Sequence, residues 1–174
     1  YITQQQLDAS QALKEIPSPV VPPARTKSGE FTASQVFIVH GHDEIATLEM
    51  SDFITSLGLE PIILHIQASS GRTISEKIEH YSNVGVGIVL YTPCDIGSKV
   101  GDLTGMYRAR QNVVFEHGYL MAKIGRKNVC ALVKGDIETP NDISGVVYVP
   151  LDGSGGWKME VSKELKACGY TLNF

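Results

Sequence analysis

The nine residues VFIVHGHDE, Val36 to Glu44, decide the fold. The run Val36-Phe-Ile-Val-His40 has no polar alternation, which suits a strand covered on both faces rather than one with a wet side. Asp43 is of a residue type that caps helices, and behind it Ala46, Met50, Phe53 and Leu57 recur at spacings of four, three and four before Gly58 ends the pattern. A doubly covered strand followed at once by an amphipathic helix is the unit of a parallel sheet.

The same alternation continues downstream. Pro61 to His65 reads as a second strand, and Thr73-Ile-Ser-Glu76 has the spacing of a capping box before a short helix carrying Ile74, Ile78 and Tyr81. Val86 to Tyr91 is a third strand, and a long Gly- and Asp-containing loop follows from Thr92 to about Arg110. A helix is expected from Asn112 to Ile124, with Val113, Leu120 and Ile124 on one side and Gly125 as terminator. Asn128 to Val133 and Val146 to Val149 are the last strands, and Trp157, Val161 and Leu165 mark a closing helix that Gly169 ends. Five apolar strands alternating with helices predict an α/β fold, a flavodoxin-like, doubly wound five-stranded parallel sheet flanked by helices.

Upstream, residues 1–34 are polar and contain Pro17, Pro19, Pro22 and Pro23. Such a stretch reads as a semi-rigid linker or the tail of an upstream module, and residues 35–174 as the domain. The net charge of -4 speaks against direct nucleic-acid binding. Cys94, Cys130 and Cys168 are odd in number and form no CxxC pair, so they read as reduced thiols in a cytoplasmic protein. No apolar run approaches the roughly 20 residues that span a bilayer.

In doubly wound sheets the ligand site lies beyond the carboxyl ends of the strands, which gathers the loops after His40, His65 and Tyr91 around one crevice. Gly41, His42 and Asp43 lead from a strand into a helix, so their backbone can face an anionic or ribose group. Gly71 and Arg72, in Ser69-Ser-Gly-Arg-Thr73, combine flexibility and a guanidinium before a helix start and suit a pyrophosphate, or form an ordinary polar turn. Thr92 and Asp95 are placed to meet a ribose or to shape the turn at Pro93. Arg110 and Asn112, with Arg108 nearby, stand where they meet phosphates or cap the next helix. His40, His42 and His65 have some look of a metal set but no clear fourth ligand, and satisfied loop histidines are the better reading; no metal is expected. Gly153-Ser-Gly-Gly156 lacks the ending of a P-loop. Glu116 lies between apolar residues on a helix suited to the interior, where a carboxylate is either functional or paired with Arg108 or Arg110. Gly118 in the same helix suggests close approach of a ligand or another backbone.

Four stretches, VFIVHGHDE, LGLEPIILH from Leu57, SSGRTISEKIE from Ser69 and RARQNVVFEHGYLMAKIGRKNVCAL from Arg108, together with the C-terminal VVYVPLDGSGGWKMEVSKELKACG, resemble the predicted nucleotide-binding proteins with a TIR-like domain found in bacterial anti-phage systems. The resemblance implies a TIR-like domain, an NAD+ nucleosidase that releases nicotinamide and ADP-ribose or a cyclised product. It also implies activation when an upstream sensor or oligomerising module brings TIR domains into contact with each other. Its catalytic glutamate maps onto Glu116, NAD+ is the substrate rather than a cofactor, and the loop with Arg72 is one that TIR domains also use for self-assembly. The family commonly has an apolar residue where this chain has His117. The chemistry is economical in side chains: the departing pyridinium is already cationic, so it needs no acid, and one carboxylate can steady the oxocarbenium-like state. A nucleoside-processing N-glycoside enzyme and a non-catalytic TIR module that self-associates or binds a nucleotide are the alternatives.

Overall fold

The computed structural model describes residues 32–63, 74–81, 84–140, 146 and 148–173. Five strands form one sheet in the order β2-β1-β3-β6-β7. They are β1 (Thr32–Val39), β2 (Glu60–Ile63), β3 (Val84–Tyr91), β6 (Val129–Val133) and β7 (Tyr148–Pro150). Every pairing is parallel, so the expected flavodoxin-like, doubly wound sheet is the observed one.

Parallel neighbours require crossovers, and the helices supply them on both faces. These are α1 (Glu44–Ser56), α2 (Ile74–Tyr81), α3 (Gln111–Ile124) and α4 (Gly156–Ala167). On one face Val36, Ile38, Ile88, Leu90 and Leu132 pack with Met50 and Ile54 of α1 and with Trp157, Val161 and Leu165 of α4. On the other, Phe37, Val39, Val89, Tyr91 and Ala131 pack with Ile78 of α2 and with Val113 and Leu120 of α3. Successive strand residues therefore enter different cores, which is why Val36 to Val39 and all of β3 are apolar without alternation.

The helix punctuation acts as read. The Asp43 carboxylate accepts from the Ala46 N–H at 3.0 Å, and Gly58 and Gly125 leave their helices at φ of +78° and +89°, backbone that side-chain-bearing residues avoid.

Several boundaries differ. β1 begins at Thr32, so residues 32–34 belong to the sheet and not to the expected linker, because Thr32 pairs with Val84 across a register shift. The loop after Tyr91 is not structureless: β4 (Asp95–Gly97) and β5 (Met106–Arg108) pair antiparallel within it. Strands of three residues are too short for a hydrophobic period to register. Asn128 closes a short 3-10 turn, Arg126–Asn128, before β6, and the last strand ends at Pro150, tolerated because β7 is an edge. His65, the segment Ser69 to Thr73 and residues 1–31 lie outside the described residues.

Gly118 corrects another expectation. A Cβ there would meet no described atom within 4 Å, so no described backbone requires glycine at this position. The tight contact lies instead at Gly87 of β3, where a Cβ would come within 2.9 Å of Leu120 Cδ1; the missing side chain lets α3 settle onto the sheet. Replacing Gly118 by Ala is therefore expected to raise stability by up to about 1 kcal/mol through backbone entropy alone. Urea unfolding of the two proteins checks this, and a destabilised variant would show that the position is covered after all.

Candidate active site at the start of the third helix

The carboxyl edge of the sheet brings together the turn after β1, the turn after β3 and the entry to α3. The His42 N–H donates to Cys94 Sγ at 3.2 Å, and the Thr92 hydroxyl lies 3.1 Å from the same sulfur. Gly41 makes this possible: a Cβ there would sit 2.5 Å from Cys94 Sγ. The Arg110 guanidinium reaches from the head of α3 to His42 Nδ1 at 3.4 Å. Gly41, His42, Thr92 and Arg110, expected around one crevice from residues scattered over seventy positions, are thus neighbours. Among the described residues no group of three or more His, Cys, Asp or Glu is arranged to hold a metal ion.

Asp43 belongs to the same edge and is fully engaged there. One carboxylate oxygen caps α1, and the other takes the Lys134 ammonium at 2.6 Å. Burial alone would raise this carboxyl, but the hydrogen bond from Lys134, the Ala46 amide, the Lys134 charge and the Ile45 amide together hold it below the usual value. Losing the cap costs about 1–2 kcal/mol. A surface ion pair is worth less than about 1 kcal/mol. Asp43→Ala is therefore expected to destabilise markedly more than Asp43→Asn, with the ion-pair part vanishing as pH falls below 3.8 toward the depressed carboxyl value. Equal losses in urea unfolding at pH 7 would assign the whole effect to the ion pair.

From this edge α3 runs back across β3. Glu116 is in its second turn, about 7–8 Å along the axis from Gln111 at 1.5 Å per residue. At 100° per residue it stands on the flank of the buried stripe formed by Val113, His117 and Leu120, the flank shared with Lys123. Lys123 reaches the Glu79 carbonyl of α2 at 2.8 Å, so that flank looks toward α2. Glu116 is 7% exposed. It makes no hydrogen bond or ion pair with a described residue: Arg110 is turned to His42, and the described ion pairs are Lys134–Asp43 and Lys163–Glu160. Pairing with Arg108 or Arg110, one of the two sequence readings, is not what the structure shows. Burial without a compensating cation pushes the Glu116 carboxyl up to about 7.

The neighbouring His117 is wholly buried, and its Nδ1 lies 2.8 Å from the Tyr91 hydroxyl; the Tyr91 ring in turn meets the Tyr148 ring edge-on. Burial pushes the imidazole down to about 4, so His117 is neutral at physiological pH. The pair pins α3 to β3 one residue from Glu116. Asp95 opens β4 opposite Arg108, and Asn112 is exposed in the first turn of α3. Gly71 and Arg72 lie outside the described residues. Sequence reading missed Cys94 and Lys134 as parts of this edge. Cys94 follows a strand end and was findable; Lys134 meets Asp43 across ninety-one positions and carries no local signal.

A family model described as the TIR domain of CAP12/Pycsar effector proteins matches residues 35–153. The chain is 48% identical over 136 residues to YuaY of Escherichia coli K12, described as uncharacterized; the match covers 78% of this chain and 46% of YuaY. It is 38% identical over 126 residues to protein tirC of Dictyostelium discoideum, covering 66% of this chain and 63% of tirC. The chain thus spans less than two thirds of either relative. Among the described residues no helix is long and apolar enough to cross a membrane.

Proposed function

The chain belongs to the TIR-domain family of CAP12/Pycsar effector proteins, and from that premise we propose that it is an NAD+ nucleosidase whose catalytic residue is Glu116. The observation that carries this reading is a carboxylate buried beside the carboxyl edge of the sheet with no partner among the described residues. Such a group is costly to keep unless a ligand uses it.

In the proposed reaction the bond between ribose C1′ and the pyridinium nitrogen breaks, its electron pair neutralises the ring, and nicotinamide leaves. Glu116, ionised, steadies the positive charge that develops on the ribose. Water then adds to C1′ and loses a proton, giving ADP-ribose; capture by a group of the adenosine half gives the cyclised product. Gly41, His42, Thr92, Asp95, Arg110 and Asn112, with Gly71 and Arg72, are the proposed contacts to the dinucleotide. Asp43 contributes by fixing the turn.

Self-association belongs to the same reading. The β4–β5 hairpin exposes Ile96, Val100, Leu103 and Met106, apolar surface that a second copy would cover. A sensor module in a longer protein is the proposed means of clustering.

The test is nicotinamide release from NAD+ by the clustered chain. Because the ionised carboxylate is the working form and its value is about 7, release is expected to rise with pH through that region and level off above it, with a slope of about tenfold per pH unit on the acid side. A flat profile from pH 5.5 to 8 would remove Glu116 from the reaction. Base exchange on deoxynucleosides with NAD+ untouched would point to the nucleoside-processing alternative.

A further inference from the structure

A groove of about 270 Å³ lies on the other side of α3 from Glu116. Val114 lines it, and at 100° per residue Val114 and Glu116 stand some 200° apart on the helix. The groove runs between the junction of β5 with α3 and the segment after β6, and its walls are pinned by backbone. The Glu138 N–H donates to the Tyr107 carbonyl at 2.7 Å, and Arg108 and Glu138 form an isolated parallel bridge.

Arg108 is the unusual member. Its side chain makes no ion pair or hydrogen bond with a described residue, and its Nε is buried without a partner. The guanidinium lies across Gly97 of β4: a Cβ there would stand 2.7 Å from Nε and closer still to Cζ and Nη1. Gly97 does not have a positive φ, so its backbone does not call for glycine. What glycine provides is room for the Arg108 head. Arg108 also lines the groove, and a guanidinium whose charge no described carboxylate neutralises is short of an anion.

We propose that this groove is a second ligand site, distinct from Glu116, that takes a phosphorylated small molecule about the size of one nucleotide. The planar guanidinium fork matches two phosphate oxygens. Ala109, Val114 and Pro140 offer an apolar shelf for a ring. Glu138 and Thr139 stand at the same cleft and accept from hydroxyl or amino groups of the ligand's body. The Glu138 carboxylate also repels additional negative charge, which favours a single phosphate over a pyrophosphate. The volume agrees, since it falls just below the roughly 300–1,000 Å³ of sites that hold drug-sized ligands.

Calorimetric titration of the 174-residue chain with AMP, adenosine and inorganic phosphate tests the assignment. AMP is expected to bind saturably, and adenosine and phosphate each at least about tenfold more weakly, because each lacks half of the recognised groups. Arg108→Ala, Arg108→Lys and Gly97→Ala should each weaken AMP by about tenfold or more, while His42→Ala, at the crevice proposed for the dinucleotide and outside the groove lining, leaves it within about twofold. Thermal melts identify any variant that has lost its fold, and Arg108→Lys, the mildest change, keeps the charge while removing the fork. No saturable AMP binding at millimolar concentration would overturn the proposal. So would weakening by His42→Ala without weakening by Arg108→Lys, because the ligand would then sit in the crevice proposed for the dinucleotide. Equal affinity for phosphate and AMP would overturn the nucleotide-sized ligand. None of these outcomes depends on nicotinamide release, so the groove and the Glu116 reaction stand or fall separately.

Discussion

Replacing Glu116 by Gln is expected to lower nicotinamide release by about 10²–10³-fold, the usual loss when one preorganised group that stabilises transition-state charge is removed. Glutamine has nearly the shape of glutamate, so packing on the flank of α3 is preserved and only the charge is withdrawn. Of the acidic side chains at this edge, Asp43 cannot take over, being tied to Ala46 and Lys134. The loss should fall on kcat more than on KM, because the charge is met as the ribose becomes cationic and only weakly before. Single-turnover measurement on the clustered protein separates the two. Activity within about tenfold of the parent would leave Glu116 as a buried structural acid and return the chemistry to another group.

The sheet was legible because its strands are buried on both faces and its helices begin and end on Asp43, Gly58 and Gly125, residues whose effects are local. The hairpin of β4 and β5 was not, since Asp95, Ile96 and Gly97 give no period, and their pairing with Met106, Tyr107 and Arg108 spans the loop. At the site, Glu116 stood out as a carboxylate in an apolar helix, and that anomaly is visible in a string of letters. Whether it was paired was not, because Arg110 is equally close in sequence and turns to His42 only when the turn after β1 is brought beside it. Lys134 and the seat that Gly97 makes for Arg108 are longer-range facts still. The backbone contact read from Gly118 differs for a related reason: a helical glycine meets another backbone only if one lies over it, and among the described residues the close approach to the sheet is made at Gly87 instead.

Glu116 and His117 also make a prediction about stability that neither makes alone. The folded carboxyl of Glu116 is raised from 4.5 to about 7, so between those values the folded protein binds more protons than the unfolded chain, and stability falls as pH rises. The folded imidazole of His117 is lowered from 6.5 to about 4, so in that window the unfolded chain binds more protons, and stability rises with pH. Each effect is worth about 3 kcal/mol over its window, or about 1.4 kcal/mol per pH unit. From pH 4.5 to 6.5 the windows overlap and the slopes oppose each other, so these two residues together leave the parent nearly flat there. Glu116→Gln removes one side of the balance. Urea unfolding at successive pH values should show its stability climbing relative to the parent through that range, until at pH 7.5 it is the more stable protein by about 3 kcal/mol. His117→Phe should tilt the profile the other way, on top of a pH-independent loss of the Tyr91 contact. Parallel profiles for parent and Glu116→Gln would mean that the carboxylate finds solvent or a partner in the folded protein, and the case for a ligand that needs it would lose its physical basis. An inactive variant that is also the more stable one is the signature of a charge retained for function against the preference of the fold.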